Sequence, residues 1–549
     1  MTATQNTPTE ANYGQDRARL HASLWKVAHQ LRGTIDGWDF KNCTLSILTY
    51  IHLSERFSQA MEGRGYVPGT YSEHTEEIPE ETKREALAEF GFFLAPEHTY
   101  QQVINSKNEE GALNTYEALK AAFNAIQYPT GEGTGEGNYR GLFSSSVDFF
   151  VRMAEEEGLG SESLSIRIRD ILTSLYDTIT TNSIDSFGDA YEYLMGMYAS
   201  EAGKSGGEYF TPQSVSAVLT RIASAQNPAF GTPGRYPDTA STPTSPQENI
   251  KVYDPTCGSG SLLLNFARLS DHRIRYYGQE KSNTTYNFAR MNMLMHEIEH
   301  DQFSIMHGDT LATPKQHDGL TIREQEGLFD AVVSNPPYSV QWNNTEAESD
   351  PRFIHGVAPA SRADLAFTQH ILYTLKDTGT AAIVEFPGMM YRGNVEQEIR
   401  KSLLEANVVD AVIRLPEGVF YGTSIPTCIL ILRKDRGDYN EVLFMDATPL
   451  RLKQGDSNIL TKAHQDAIVE GYVKNEDAEG FIRKVTRDEI ADNNYDLSPE
   501  NYVSGRVVVE HRDIGVITAE LEELSLEQGR LNEALQAARA TLLPIGGVE

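Results

Sequence analysis

Cysteine is scarce. Only Cys43, Cys257 and Cys428 occur in 549 residues, far apart and with no CxxC spacing. That excludes a disulfide framework and a zinc site, and it suits a reducing cytoplasm. No run of about 18 apolar residues exists, so no membrane-spanning helix is expected. The polar stretch 1–15 lacks the apolar core of a secretory signal. Basic residues are also few: 47 Lys and Arg stand against 78 Asp and Glu, a formal net charge of −31. Phosphate contacts normally need Lys and Arg in excess. Either the substrate is not a nucleic acid, or a partner supplies most of the basic surface.

A hydrophobic content of 40% is enough for real cores, and the length predicts more than one domain. Residues 1–18 are polar, aperiodic and expected to be disordered. From 19 to 202 the pattern is helical, with apolar residues at helical spacing in 46–53 and 118–123. The glycine-rich stretch 130–137 interrupts this domain as a loop, and the acidic run 73–81 reads as solvated surface. Residues 203–485 alternate short apolar runs with helical segments, the signature of an α/β fold. Within them, 226–249 is rich in Pro, Thr, Ser and Gly and is expected to be a surface loop. The last stretch, 486–549, carries Ile514, Ile517, Leu521, Leu524, Gln528, Leu531, Leu535, Ala538 and Leu542 at steps of three and four. That is a heptad seam with one polar position, available to a partner or to this chain's own helices.

The chain's most distinctive stretch is Asn335-Pro336-Pro337-Tyr338. It follows 328–334, an apolar run that reads as a buried strand. Two prolines cannot continue a strand, so the chain turns at its carboxyl end, where ligands sit in open α/β sheets. Proline restricts Asn335 in turn. Its amide oxygen and the Pro336 carbonyl can accept both protons of one planar NH2 group while the Tyr338 ring stacks on the plane that carries it. Taken alone, the four residues read equally well as a proline-capped strand end with an exposed tyrosine.

A second motif lies upstream. The strand 250–253 leads into Asp254-Pro255-Thr256-Cys257-Gly258-Ser259-Gly260-Ser261 and then a helix. Strand, glycine turn and helix open a nucleotide-binding unit, though Leu263 stands where a dinucleotide site needs a third glycine. Asp254 suits a cationic amino group rather than a phosphate. The next strand ends at Glu280, placed for ribose hydroxyls, and the one after it at Asp309, placed for an exocyclic amine. Four successive strand ends therefore carry Asp254, Glu280, Asp309 and Asn335, a convergent polar site. Upstream, Gly203-Lys204-Ser205 is no P-loop, because Tyr198 occupies its required glycine position. Thr211 and Pro212 are expected to be the N-cap and first residue of a helix over 213–223, whose N-terminus favours a carboxylate or phosphate. Arg352, Arg362 and Arg392 lie in loops near the motif face, either as phosphate contacts or as ordinary solvated arginines.

The turn Asp254–Gly260, the acids Glu280 and Asp309, and Asn335–Tyr338 together resemble the motifs of S-adenosylmethionine-dependent amino-methyltransferases. The stretches 189–212, 415–430 and 45–57 resemble the modification subunit of type I restriction-modification systems. That resemblance implies a Rossmann-like catalytic domain with a mostly parallel seven-stranded sheet, an N-terminal all-α domain and a C-terminal helical or coiled-coil tail. It implies methyl transfer from S-adenosylmethionine to N6 of adenine, flipped out of double-stranded DNA. Glu208, Tyr209, Phe210, Thr211, Pro212 and Gln213 would hold the methionine carboxylate, with Gly258, Ser259, Gly260 and Ser261 as the turn against which the cofactor lies. Asp254 would take the amino group, Glu280 the ribose and Asp309 the adenine. Asn335, Pro336, Pro337 and Tyr338 would bind the target base, with Phe420 as a second wall. No metal is implied. The partners implied are a specificity subunit served by two copies of this chain, DNA reached through that complex, and a restriction subunit in some assemblies. The alternatives are cytosine N4 as target, a protein glutamine amide as target, and a non-catalytic assembly subunit that keeps the fold.

Overall fold

A computed structural model describes residues 21, 24, 37–64, 71–106, 114–129, 137–180, 186–201, 211–232, 249–270, 273–314, 317–420, 426–455, 457–503 and 528–531. The first part is built from helices α1 (Gly37–Gly63), α2 (Glu80–Phe90), α3 (Tyr100–Asn105), α4 (Thr115–Gln127), α5 (Ser144–Glu157), α6 (Ser161–Thr180) and α7 (Ser186–Glu201). No strand interrupts them among the described residues. Helix α4 shows why. Asn114 caps it by accepting from the Glu117 amide, and Ala118, Leu119, Ala122, Phe123 and Ile126 bury one face.

Helix α8 (Gln213–Ser224) leads into the sheet. The seven expected strands are present: β1 (Ile250–Asp254), β2 (Ile274–Glu280), β3 (Phe303–His307), β4 (Phe329–Ser334), β5 (Leu375–Glu385), β6 (Val409–Arg414) and β7 (Cys428–Arg433). The sheet nevertheless has nine. Beyond β7 come β8 (Glu441–Asp446), a small hairpin of β9 (Leu452–Gln454) and β10 (Ser457–Ile459), and β11 (Ile482–Thr486). The order is β11-β8-β6-β7-β5-β4-β1-β2-β3. The reason for the correction is packing. The first five residues of β6 are fully buried, and an edge strand of that kind would offer its backbone to any passing chain. Strand β8 covers it in parallel and β11 closes β8 antiparallel.

Strands β1 to β5 run parallel, and β7 enters antiparallel between β5 and β6. All six residues of β4 are buried, as expected for a central strand covered on both faces. Ala331 and Val333 face one core, with α8 and α10 (below) and the N-terminal helices. Val332 faces the other. The intervening helices are α9 (Ser261–Leu264), α10 (Asn283–Met295), α11 (Asp364–Thr374), α12 (Gly388–Tyr391), α13 (Val395–Glu405), α14 (Lys462–Lys474) and α15 (Arg487–Asp492).

The helical part docks on α10. Buried Arg290 donates to the carbonyls of Asn138 and Arg140 at 3.0 and 2.8 Å, and Asn138 donates back to those of His300 and Phe303. The loop expected at 226–249 starts as packed structure. Asn227 donates to the Asp330 and Ala223 carbonyls, and Phe230 is buried against Phe266. Of the heptad seam, only Gln528 and Leu531 lie among the described residues, so the coiled-coil tail lies outside them. Among the described residues, no helix is long and apolar enough to cross a membrane.

Candidate active site

The four parallel strands β4, β1, β2 and β3 are neighbours, and their carboxyl ends lie side by side. Asp254 and Glu280 are the last residues of their strands, Asn335 follows its own directly, and Asp309 stands two residues past β3. A cavity of about 320 Å³ opens there. Glu280, Asp309 and Asn335 line it, together with Lys281, Leu311, Pro337, Val340, Trp342 and Phe367. A cleft of this size, with polar groups facing apolar side chains, suits a small molecule.

The turn after β1 is shaped by glycine. Gly258 and Gly260 have φ of 53° and 78°, values costly for other residues, and a side chain at 260 would sit 3.2 Å from the Met293 methyl. The Gly258 amide donates to Glu280 Oε2 at 3.1 Å, and the Ser282 amide to its Oε1 at 2.7 Å. These bonds fix Glu280 across two turns. Burial nevertheless pushes its carboxyl above the usual range, against the pull of those amides. Ser259 and Ser261 do not face the cavity. Both are buried, 3.1 Å apart at their hydroxyls, and Asn292 donates to the Ser259 carbonyl and to Ser261 Oγ.

Asp254 also sits behind the cavity wall. It is 2% exposed, and its Oδ1 accepts from the Thr256 amide at 2.9 Å and from Ser334 Oγ at 3.1 Å. Burial pushes its carboxyl up to about 7. Asp309 behaves oppositely. Burial raises its pKa, but Lys281 Nζ at 2.9 Å and the Ala312 and Leu311 amides outweigh that and hold it below the usual range. The Asp309 carboxylate thus faces the cavity paired with Lys281.

At the end of β4, Tyr338 donates to Asn335 Oδ1 at 2.6 Å, and Asn335 Nδ2 donates to Thr211 Oγ1 at 3.3 Å. Burial raises the Tyr338 hydroxyl well above its ordinary value, so it is a neutral donor. Its ring lies 6.2 Å from that of Phe386. Thr211 is not the N-cap of α8. Pro212 takes that position with no side-chain cap, so the Thr211 hydroxyl is turned to Asn335 instead. Gln213 is spent elsewhere: it donates to Glu192 at 2.7 Å and accepts from Asn265 at 3.0 Å. Phe420 is buried in the larger core and is not a wall of this cavity. Glu208, Tyr209 and Phe210 lie outside the described residues.

Several residues that line or brace the cavity escape a reading of the sequence. Lys281, next to Glu280, pairs with Asp309. Trp342, one of three tryptophans, lines the cavity seven residues after Asn335, and its ring nitrogen donates to the Pro359 carbonyl. Arg352 is no phosphate contact. It is 3% exposed and reaches the carbonyls of Thr310 and Leu311 at 2.9 and 2.8 Å, Asp350 at 2.7 Å and His370 at 3.2 Å. It thereby clamps the wall that follows Asp309. Cys43, Cys257 and Cys428 are buried thiols.

Glu280, Asp309, Asn335 and Pro337 thus converge on one cavity, with Asp254 behind its wall, and the profile of the N-6 DNA methylase matches residues 182–511, more than half of the chain. The chain belongs to the N-6 DNA methylase family. The N-terminal domain profile of type I modification subunits (HsdM) matches 20–158. The methylase subunit of the type I restriction enzyme MpnII of Mycoplasma pneumoniae is 39% identical, over 95% of this chain and 96% of its own. The HindI methylase subunit of Haemophilus influenzae is 30% identical over 61% of this chain and 72% of its own. The crystal structure of a type I methyltransferase subunit from Streptococcus thermophilus superposes with a TM-score of 0.74 at 31% identity, covering 89% and 99% of the two chains. This N-6 DNA methylase is a type I methylase subunit and an S-adenosylmethionine-dependent enzyme. The residues present fit that cofactor. Asp309 and Glu280 offer acceptors for an amine and for hydroxyls, and Leu311, Val340, Trp342 and Phe367 offer apolar surface for a purine.

Proposed function

We propose that this chain methylates N6 of an adenine flipped out of duplex DNA, at sites chosen by a separate specificity subunit, and so protects the host's own DNA. The observation that carries the reading is that Asn335, held by Tyr338, lines the same cavity as Glu280 and Asp309. S-adenosylmethionine supplies an electrophilic methyl group. In this reading Glu280 orients its ribose, Asp309 accepts from its adenine amine, and the 208–213 segment with Thr211 holds its carboxylate. Asp254, poised near neutral protonation, ionises as an ammonium approaches.

On the target side, Asn335 Oδ1 and the Pro336 carbonyl accept the two protons of the adenine amine. That turns the nitrogen lone pair out of the ring plane, while Tyr338 stacks on the base. Catalysis then rests on position and polarisation, with no covalent enzyme intermediate. A stacked, paired adenine cannot reach such a pocket, hence the flip. The net charge of −31 supports a basic partner: two copies of this chain on one specificity subunit, joined in some assemblies by a restriction subunit.

The test incubates the full chain, with and without a co-expressed specificity subunit, with methyl-labelled S-adenosylmethionine and unmodified DNA. Label in N6-methyladenine, dependent on the partner, is the expected result. Label in N4-methylcytosine, label in protein, or cofactor binding without any transfer overturns the reading.

A further inference from the structure

Two of the three arginines near the motif face remain unexplained once Arg352 is seen to be a buried clamp. Arg362 and Arg392 share one carboxylate. Arg362 donates to Glu396 Oε2 at 3.0 Å and Arg392 to its Oε1 at 3.3 Å. Glu396 is buried, whereas the Arg362 side chain is 38% exposed and that of Arg392 22%. Two cations against one anion leave a net positive charge at the surface of a strongly acidic chain.

The pair stands beside the target side of the pocket. Arg362 lies in the segment that pairs with the continuation of the Asn-Pro-Pro-Tyr loop: the Ala363 amide donates to the Val340 carbonyl and the Trp342 amide to that of Ala360, both at 2.9 Å. Arg392 lies over the Phe386 ring at 5.4 Å, and Phe386 is the neighbour of Tyr338. The guanidinium of Arg392 is cradled. A side chain at Gly388 would fall 2.5 Å from its Nη2, so glycine keeps the space it occupies. Next to it, Tyr391 is 57% exposed, an aromatic ring on the same rim. Behind the rim, burial raises the Glu385 carboxyl well above its usual range.

We infer that Arg362 and Arg392, held apart by Glu396, grip the phosphates flanking the nucleotide that enters the pocket. A planar guanidinium braced on one side by a carboxylate still presents N–H donors on the other, the geometry that suits phosphate oxygens. The chain thus contributes a small direct DNA contact of its own, local to the extruded base. The inference rests on the DNA-methylating reading above.

The experiment measures kcat/KM for unmodified plasmid DNA across a KCl series, using the complex with the co-expressed specificity subunit. Arg362→Gln, Arg392→Gln and the double variant are compared with Arg273→Gln, an arginine just before β2 at the opposite end of the strands. The slope of log kcat/KM against log salt is expected to become shallower by about one unit per arginine removed. For the double variant, kcat/KM falls about tenfold or more, while Arg273→Gln changes neither value. S-adenosylmethionine affinity, measured by calorimetry, stays within twofold and reports folding; Arg→Lys at both positions keeps the charge and restores most of the salt slope. An unchanged slope in the double variant, with wild-type transfer intact, overturns the inference. So does a weakened cofactor affinity in both the Gln and the Lys variants. Failure of the wild-type complex to methylate any DNA overturns the underlying reading first, and the inference with it.

Discussion

The two halves of the pocket are built differently. On the side proposed for the cofactor, Glu280 and Asp309 are pinned by backbone amides: Gly258 and Ser282 for one, Leu311 and Ala312 for the other. Arg352 holds the wall that follows Asp309 from behind. On the target side, Asn335 is held by side chains, through a short bond from Tyr338 and a longer 3.3 Å one to Thr211. Backbone amides are placed by the fold, so the cofactor side is preorganised. Side-chain partners can be exchanged, so under the proposed function the target side is completed when a substrate amine replaces Tyr338 on Asn335 Oδ1. Under the proposed function the difference implies an order of events: donor site ready first, acceptor site assembled by the base it receives.

The comparison can be broken at either half. The largest effect belongs to Asn335→Ala. Transfer should fall about 10²–10³-fold, the usual cost of one polarising group, while calorimetric affinity for S-adenosylmethionine stays within about twofold. A large loss of affinity would erase the division between the halves. Glu280→Ala should do the reverse. Losing hydrogen bonds to a charged group costs about 1.5–3 kcal/mol, so the cofactor Kd should rise roughly 10- to 100-fold, with transfer largely recovered at saturating cofactor.

Tyr338→Ala should raise KM for DNA by about 10- to 100-fold, the worth of one base–aromatic stack. Tyr338→Phe keeps the ring and frees Asn335 Oδ1. Its transfer rate should therefore stay within about threefold of wild type, and a collapse there would show that the hydroxyl itself is needed. Arg352→Lys should raise the cofactor Kd about tenfold, because a single ammonium cannot reach both carbonyls, Asp350 and His370 at once.

A separate effect falls on the pH dependence of stability rather than on transfer. Burial pushes the Asp254 carboxyl up to about 7, above the usual aspartate value of about 3.9. Between those values the folded state keeps a proton that the unfolded state has lost, so this residue's contribution to stability falls as pH rises from about 4 to 7. Denaturant titrations across that window should show the decline in wild type. Asp254→Asn should flatten it. Saturating cofactor should flatten it too if an ammonium ionises the carboxylate.

Much of this was written locally. Prolines after an apolar run, glycines after another and an acid at each strand end mark the carboxyl edge of a parallel sheet, because strand termination and turn chemistry depend on near neighbours. The three loop arginines look alike in sequence, and only packing separates Arg352, buried at 3%, from the surface pair Arg362 and Arg392. Thr211 fits a helix cap by its neighbours, yet its hydroxyl meets Asn335 from 124 residues away. Strands β8 and β11 answer a need of β6 that no local pattern expresses.

The order of short apolar runs, and the residue that ends each one, were enough to determine an α/β fold with polar groups gathered along one edge. Periodicity and backbone chemistry act over a few residues, and those are visible in a string. Which carboxylates face the cavity, which serine hydroxyls turn inward and which arginine clamps a wall were decided only when distant segments packed together. Burial and hydrogen-bond partners belong to the assembled chain, and they set the charge each group carries.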